Sequence, residues 1–135
     1  MNHFLYLYGP NGAGKTRLLR IMEAILAEQC ERKCVIRVGA EMLLAEMISD
    51  LSLSCAGQFL DNYEDIENLL IDNYWVLARK PHAAGMLTRL IRKRQNTGKL
   101  TIVASDLPLN KIDHENDEIA EFFSGAVLIN LATHI

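Results

Sequence analysis

The segment Gly9-Pro10-Asn11-Gly12-Ala13-Gly14-Lys15-Thr16 fills every position of the pattern G-x-x-x-x-G-K-[ST] and joins two stretches of different periodicity. Ahead of it, Phe4-Leu5-Tyr6-Leu7-Tyr8 is a short β-prone run; behind it, Arg17-Leu18-Leu19-Arg20-Ile21-Met22 through Leu26 places apolar residues at helical spacing. The arrangement predicts a strand, a tight loop and a helix. Three glycines in the loop remove side chains and tolerate unusual dihedrals, which lets backbone N–H groups close around phosphate oxygens. Lys15 is expected to reach the β and γ phosphates, and Thr16 to offer its hydroxyl to Mg²⁺. The helix starting near Gly14 aims its positive end at the same anion. Gly9 through Thr16, with Arg17, are therefore the candidate contacts to a nucleoside triphosphate. A glycine-rich turn that merely joins strand to helix is the alternative, and the flanking context disfavours it.

The rest of the chain supports an α/β reading. Cys34-Val35-Ile36-Arg37-Val38 reads as a second strand that Gly39 ends, 66–71 as a buried strand, Leu100-Thr101-Ile102-Val103-Ala104 as another and Ala126-Val127-Leu128-Ile129 as the last. Helical stripes fall between them: Met42, Leu43, Leu44, Met47, Ile48 and Leu51 within 41–53, a shorter piece over 58–63, Met86, Leu87, Leu90 and Ile91 within 82–94, and a short helix over 118–123. Asn96-Thr97-Gly98 is a stop signal, and Ser105-Asp106-Leu107-Pro108 a turn. Strands alternating with helices predict a mostly parallel five-stranded sheet with helices on both faces. At 135 residues, with no repeat, low-complexity segment or linker, residues 1–135 are expected to form one domain.

A phosphate loop needs a carboxylate at the end of a different buried strand to hold the Mg²⁺ that neutralises a triphosphate. Asp72, after Leu69-Leu70-Ile71, answers that description, so Thr16 and Asp72 are the candidate metal ligands. The next position, where many such enzymes carry a second acid, is Asn73. An amide orients a water but cannot accept its proton. Asp106, at the end of the following strand, is the other candidate group for the γ-phosphate region, weighed against an ordinary turn-former before Pro108.

Composition excludes other classes. Half of the residues are hydrophobic and 23% are charged, the balance of an ordinary globular protein. No apolar run approaches a bilayer-spanning length, and residues 2–8 flow directly into the phosphate loop rather than resembling a cleavable leader, so no membrane partner and a cytoplasmic location are expected. In that setting Cys30, Cys34 and Cys55, which lack a metal-ligand spacing, are expected to be reduced core or helix-edge residues. His3, His82, His114 and His134 show no ligand spacing either. The net charge of −3 argues against a surface that coats nucleic acid generally, and Arg89, Arg92, Lys93 and Arg94 read as a solvated helix face. Tyr74-Trp75 reads as packing rather than a base-stacking platform.

Leu5-Tyr6-Leu7-Tyr8-Gly9 running into Gly14-Lys15-Thr16, then Leu69-Leu70-Ile71-Asp72, then Ala104-Ser105-Asp106-Leu107-Pro108, resemble the AAA+ ATPase core of the bacterial replication initiator DnaA and its shorter relative Hda. The resemblance spans nearly the whole chain with little or no gap. It implies an AAA+ type P-loop NTPase fold, ATP or ADP with Mg²⁺ as ligands, a sensor role for Asp106, and replication initiation or its control as the setting. It also implies a DnaA-like AAA+ protein or another replication protein as partner, and 41–63 is similar in length to the family's extra helix pair. The departures bear on mechanism: Asp72-Asn73 replaces paired acids, and Glu118-Ile119-Ala120-Glu121-Phe122-Phe123 has no arginine where the family's finger is expected. Leu60-Asp61-Asn62 replaces basic residues that the family uses on single strands, leaving nucleic-acid binding open, and a chain ending at Ile135 is expected to lack the lid and DNA-reading domains. Three classes remain: a nucleotide-responsive regulator or partner module with weak hydrolysis, an active ATPase, and a degenerate fold kept for protein contacts.

Overall fold

In the computed structural model, which describes residues 3–10, 12, 14–30, 34–52, 58–112 and 117–131, alternating strands and helices build one parallel sheet. The elements in chain order are β1 (Phe4–Tyr8), α1 (Lys15–Glu28), β2 (Val35–Gly39), α2 (Ala40–Ser52), α3 (Gln58–Glu64), β3 (Asn68–Asp72), α4 (Trp75–Ala78), α5 (Pro81–Asn96), β4 (Leu100–Ser105), a 3₁₀ turn (Leu109–Lys111), α6 (Asp117–Ser124) and β5 (Val127–Asn130). The strand order is β2-β3-β4-β1-β5, and all four pairings are parallel. Parallel strands align their carboxyl ends, so the residues that follow β1, β2, β3 and β4 emerge on one edge of the sheet, where α/β folds bind ligands.

The two sheet faces are covered unequally. Phe4, Tyr6, Leu69, Ile71 and Val103 join a core with residues of α2 through α6, among them Leu43, Phe59, Leu77, Leu87 and Phe123. The alternate positions Leu7, Leu70, Ile102 and Ala104 meet Leu19 of α1 on the opposite face. This period of two is why the strand segments were legible as continuous apolar runs: both faces are occupied. Burial of these side chains, each contributing about 1.5–3 kcal/mol, is the main favourable term for the fold.

Four expectations are corrected. Cys30 and Cys34 are joined by a disulfide rather than reduced; their Cα atoms lie 6.1 Å apart, within bridging range. Cys55 lies outside the described residues, as do His114 and His134. Arg94 is fully buried instead of lying on the solvated face of α5, because it points at carbonyls between elements. Trp75 is 48% exposed, although Tyr74 beside it is fully buried. Met42 and Ile48 also face solvent, so among the described side chains of the expected α2 stripe Leu43 and Met47 are buried and Leu44 is half-buried. Among the described residues, no helix is long and apolar enough to cross a membrane.

Candidate functional site

The loop between β1 and α1 meets the ends of β3 and β4 in a cleft of about 450 Å³ lined by Gly12, Gly14, Lys15, Thr16, Arg17, Asp72, Asn73 and Asp106. Gly12 and Gly14 have φ of 88° and 92°, in the left-handed region that a side chain resists. Gly14 caps α1, and its carbonyl accepts the Leu18 N–H at 2.9 Å, so the amides of the first helical turn face the cleft without intrahelical partners. Asn11 and Ala13 lie outside the described residues.

Lys15 is only 7% exposed. Its ammonium donates to the Gly9 carbonyl, to the Pro10 carbonyl at 2.9 Å, and pairs with Asp106 Oδ1 at 3.0 Å. A buried cation needs such partners: two are carbonyl oxygens of the loop and the third is the carboxylate just past β4. Thr16 Oγ1 donates to Asp72 Oδ2 at 2.9 Å, bringing the two candidate metal ligands together across the gap between α1 and β3. Neutral hydroxyl and carboxylate oxygens are the donor set that hard divalent cations such as Mg²⁺ take, so the residues present fit that ion, which when bound neutralises phosphate charge. Arg17 is exposed at the start of α1 on the same cleft.

Asn73 leaves β3 with φ of 59°, the one positive value outside glycine among the described residues. Its backbone N–H donates to Asp72 Oδ1 at 2.9 Å, and its side-chain amide donates to Glu41 Oε1 at 2.9 Å. Glu41 is the site-edge residue that sequence reasoning passed over. The sequence carried no local signal for it: only the register, in which Gly39 ends β2 opposite Asp72, brings the residues just past Gly39 beside residue 73. Beneath the cleft, the Tyr6 hydroxyl donates to the Leu107 carbonyl at 2.8 Å, fixing the turn that follows Asp106, and burial holds the Tyr6 phenol well above its ordinary range. Elsewhere, the Cys30, Cys34 and Glu67 ligand atoms lie within 4.8 Å of one another, but the two sulfurs are bonded to each other.

The fold and the loop define an α/β domain of the AAA+ P-loop type. Residues 2–130 match the bacterial DnaA ATPase domain, and the chain belongs to that family. It is 30% identical over 107 residues to the chromosomal replication initiator protein DnaA of Buchnera aphidicola subsp. Baizongia pistaciae, covering 78% of this chain and 23% of that protein. Among solved structures, AMPPCP-bound DnaA from Aquifex aeolicus superposes with a TM-score of 0.85 at 25% identity, over 96% of this chain and 40% of that one. A replication initiator DnaA bound to AMPPCP and single-stranded DNA matches equally, at TM-score 0.85 and 25% identity, over 95% of this chain and 40% of that one. The chain spans about a quarter of the length of the curated relatives it matches.

Proposed function

We propose that this chain is an ATP- or ADP-binding module of the DnaA type that acts as a regulator or partner in replication initiation and turns nucleotide over slowly. The observation that carries the reading is the convergence of Lys15, Thr16, Asp72 and Asp106 on one cleft at the mouth of a glycine loop. In this reading the loop amides and Lys15 hold the phosphates, Thr16 and Asp72 hold Mg²⁺, and Asp106, already paired with Lys15, is exchanged for phosphate oxygens when nucleotide enters. Slow turnover follows from Asn73, whose amide orients a water without taking its proton. The absence of arginine from α6 supports a role that receives a finger from a partner's surface rather than supplying one. An intact set of phosphate and metal ligands argues against a fold kept only for protein contacts.

The test is thermal stability with millimolar ATP or ADP and Mg²⁺. A ligand that binds only the native state stabilises it by about 2.7 kcal/mol at a hundredfold excess over Kd, so the melting temperature should rise by several degrees. Lys15→Ala should abolish most of that rise. A melting temperature indifferent to nucleotide would sink the reading.

A further inference from the structure

Glu41 stands where β2 passes into α2, and a chain of three hydrogen bonds running through Asn73 and Asp72 connects it to the metal-site residues. Thr16 Oγ1 donates to Asp72 Oδ2, the Asn73 N–H donates to Asp72 Oδ1, and Asn73 Nδ2 donates to Glu41 Oε1, each at 2.9 Å. A Cβ on Gly39 would lie 2.5 Å from Glu41 Oε2, so a side chain there would make the end of this flexible carboxylate shift from its present position. The left-handed backbone of Asn73 is a further local cost, of the kind that persists where a side chain must be aimed.

We propose that Glu41, held by the Asn73 amide, is the proton acceptor for the water that attacks the terminal phosphate, so that orientation and proton acceptance are divided between two residues just beyond the ends of the neighbouring strands β2 and β3. The inference rests on the nucleotide reading of the cleft. In the step, the water oxygen forms a bond to the terminal phosphorus while the bond from that phosphorus to the bridging oxygen breaks. The leaving nucleoside diphosphate keeps the electron pair, and the water's proton passes to the Glu41 carboxylate. Because the acid sits on the first turn of α2 and is shared with an amide, the step is slow. A purely structural explanation exists: Glu41 sits in the first turn of α2, where a carboxylate complements the helix dipole. The two differ in what happens when charge is removed but shape is kept.

The experiment measures single-turnover ATP hydrolysis with Mg²⁺ as a function of pH, alongside nucleotide-dependent melting, for the parent chain, Glu41→Gln and Gly39→Ala. Glu41→Gln should keep the stabilisation by nucleotide, lose about 10²-fold or more in rate, and lose the acidic limb of the pH profile that a titrating carboxylate imposes. Gly39→Ala, which keeps the acid but crowds its position, should lower the rate without lowering nucleotide binding. A parental rate and pH profile in Glu41→Gln overturns the proposal, as does a parent that binds nucleotide but hydrolyses none. A parent whose melting ignores nucleotide removes the reading of the cleft itself, a failure seen in the binding arm before any rate is compared.

Discussion

Arg94 takes a positive charge to a place that water does not reach, and its surroundings explain how it stays. It is fully buried, and burial pushes its guanidinium down to about 10, which still leaves it charged at neutral pH. Its Nε donates to Thr101 Oγ1 at 2.8 Å, one terminal nitrogen to the carbonyls of Tyr63, at 2.7 Å, and Ile66, and the other to the Leu100 carbonyl at 2.6 Å. A single planar fork thus ties α5 to the end of α3, the approach to β3 and the start of β4, a geometry that an ammonium cannot reproduce. Arg94→Met should cost about 3–5 kcal/mol, since four acceptors lose their donor at once, and Arg94→Lys should recover only part of it. Urea unfolding supplies the measurement, and a Met variant within about 1 kcal/mol of the parent would mean that water or backbone shifts replace the fork. The residue was misread from sequence for a definite reason. Arg92, Lys93 and Arg94 are consecutive, and only the helical angle between them, combined with the position of the β4 start, separates two exposed cations from a buried one.

At the scale of elements, α6 is fixed by aromatic contact. Phe123 stacks on Tyr74 with ring centroids 4.6 Å apart and meets Phe4 and Tyr6 edge-on at 5.3 and 6.3 Å. Its neighbour Phe122 stacks on Phe4 at 5.5 Å and carries the Arg92 guanidinium over its ring. Phe123→Ala should therefore cost about 3–5 kcal/mol and loosen the α6–β5 corner, which hydrogen exchange of the Gly125 and Ala126 amides would register; unchanged protection there would show that the corner holds without the ring. The five strands and the helices α1, α2, α3, α5 and α6 were legible because runs of two-sided apolar character and helical stripes are local signals. Their ends moved by a residue or two, as when Asp72 proved to be the last residue of β3 rather than the first beyond it. Helix α4 was not legible: four residues are too few to show a period, and what holds it is the backbone bond from Tyr74 N–H to the Ala104 carbonyl, a contact 30 residues away. The disulfide and Glu41 were hidden in the same way. Each depends on where a loop or a neighbouring strand returns, and the cleft's ligand candidates were legible only because the glycine loop and the acid that ends β3 are local patterns.

Over the whole molecule, three buried phenols decide how the fold responds to alkali. Burial raises Tyr6, Tyr63 and Tyr74 above the ordinary tyrosine value of 10.0; for Tyr63 the hydrogen bond to Glu46, at 2.7 Å, adds to the shift, and for Tyr6 the bond to Ser105 partly offsets it. An unfolded chain releases these protons near pH 10, whereas the folded chain keeps them, so the native state binds more protons in that region and stability falls as pH rises. Arg94 acts in the opposite sense. Its folded value of about 10 lies below its ordinary 12.5, so between those limits the unfolded chain holds the extra proton and stability rises with pH. Three groups oppose one, and the net expectation is a loss of stability that begins near pH 10 and is absent at neutral pH. Urea midpoints measured from about pH 8 to about pH 11 should stay level and then drop, while a variant with Tyr74→Phe, which removes the most deeply buried of these hydroxyls, should drop less steeply. A midpoint that holds constant through about pH 11 would mean that the phenols ionise in place, with water reaching the aromatic core between β1, α4 and α6.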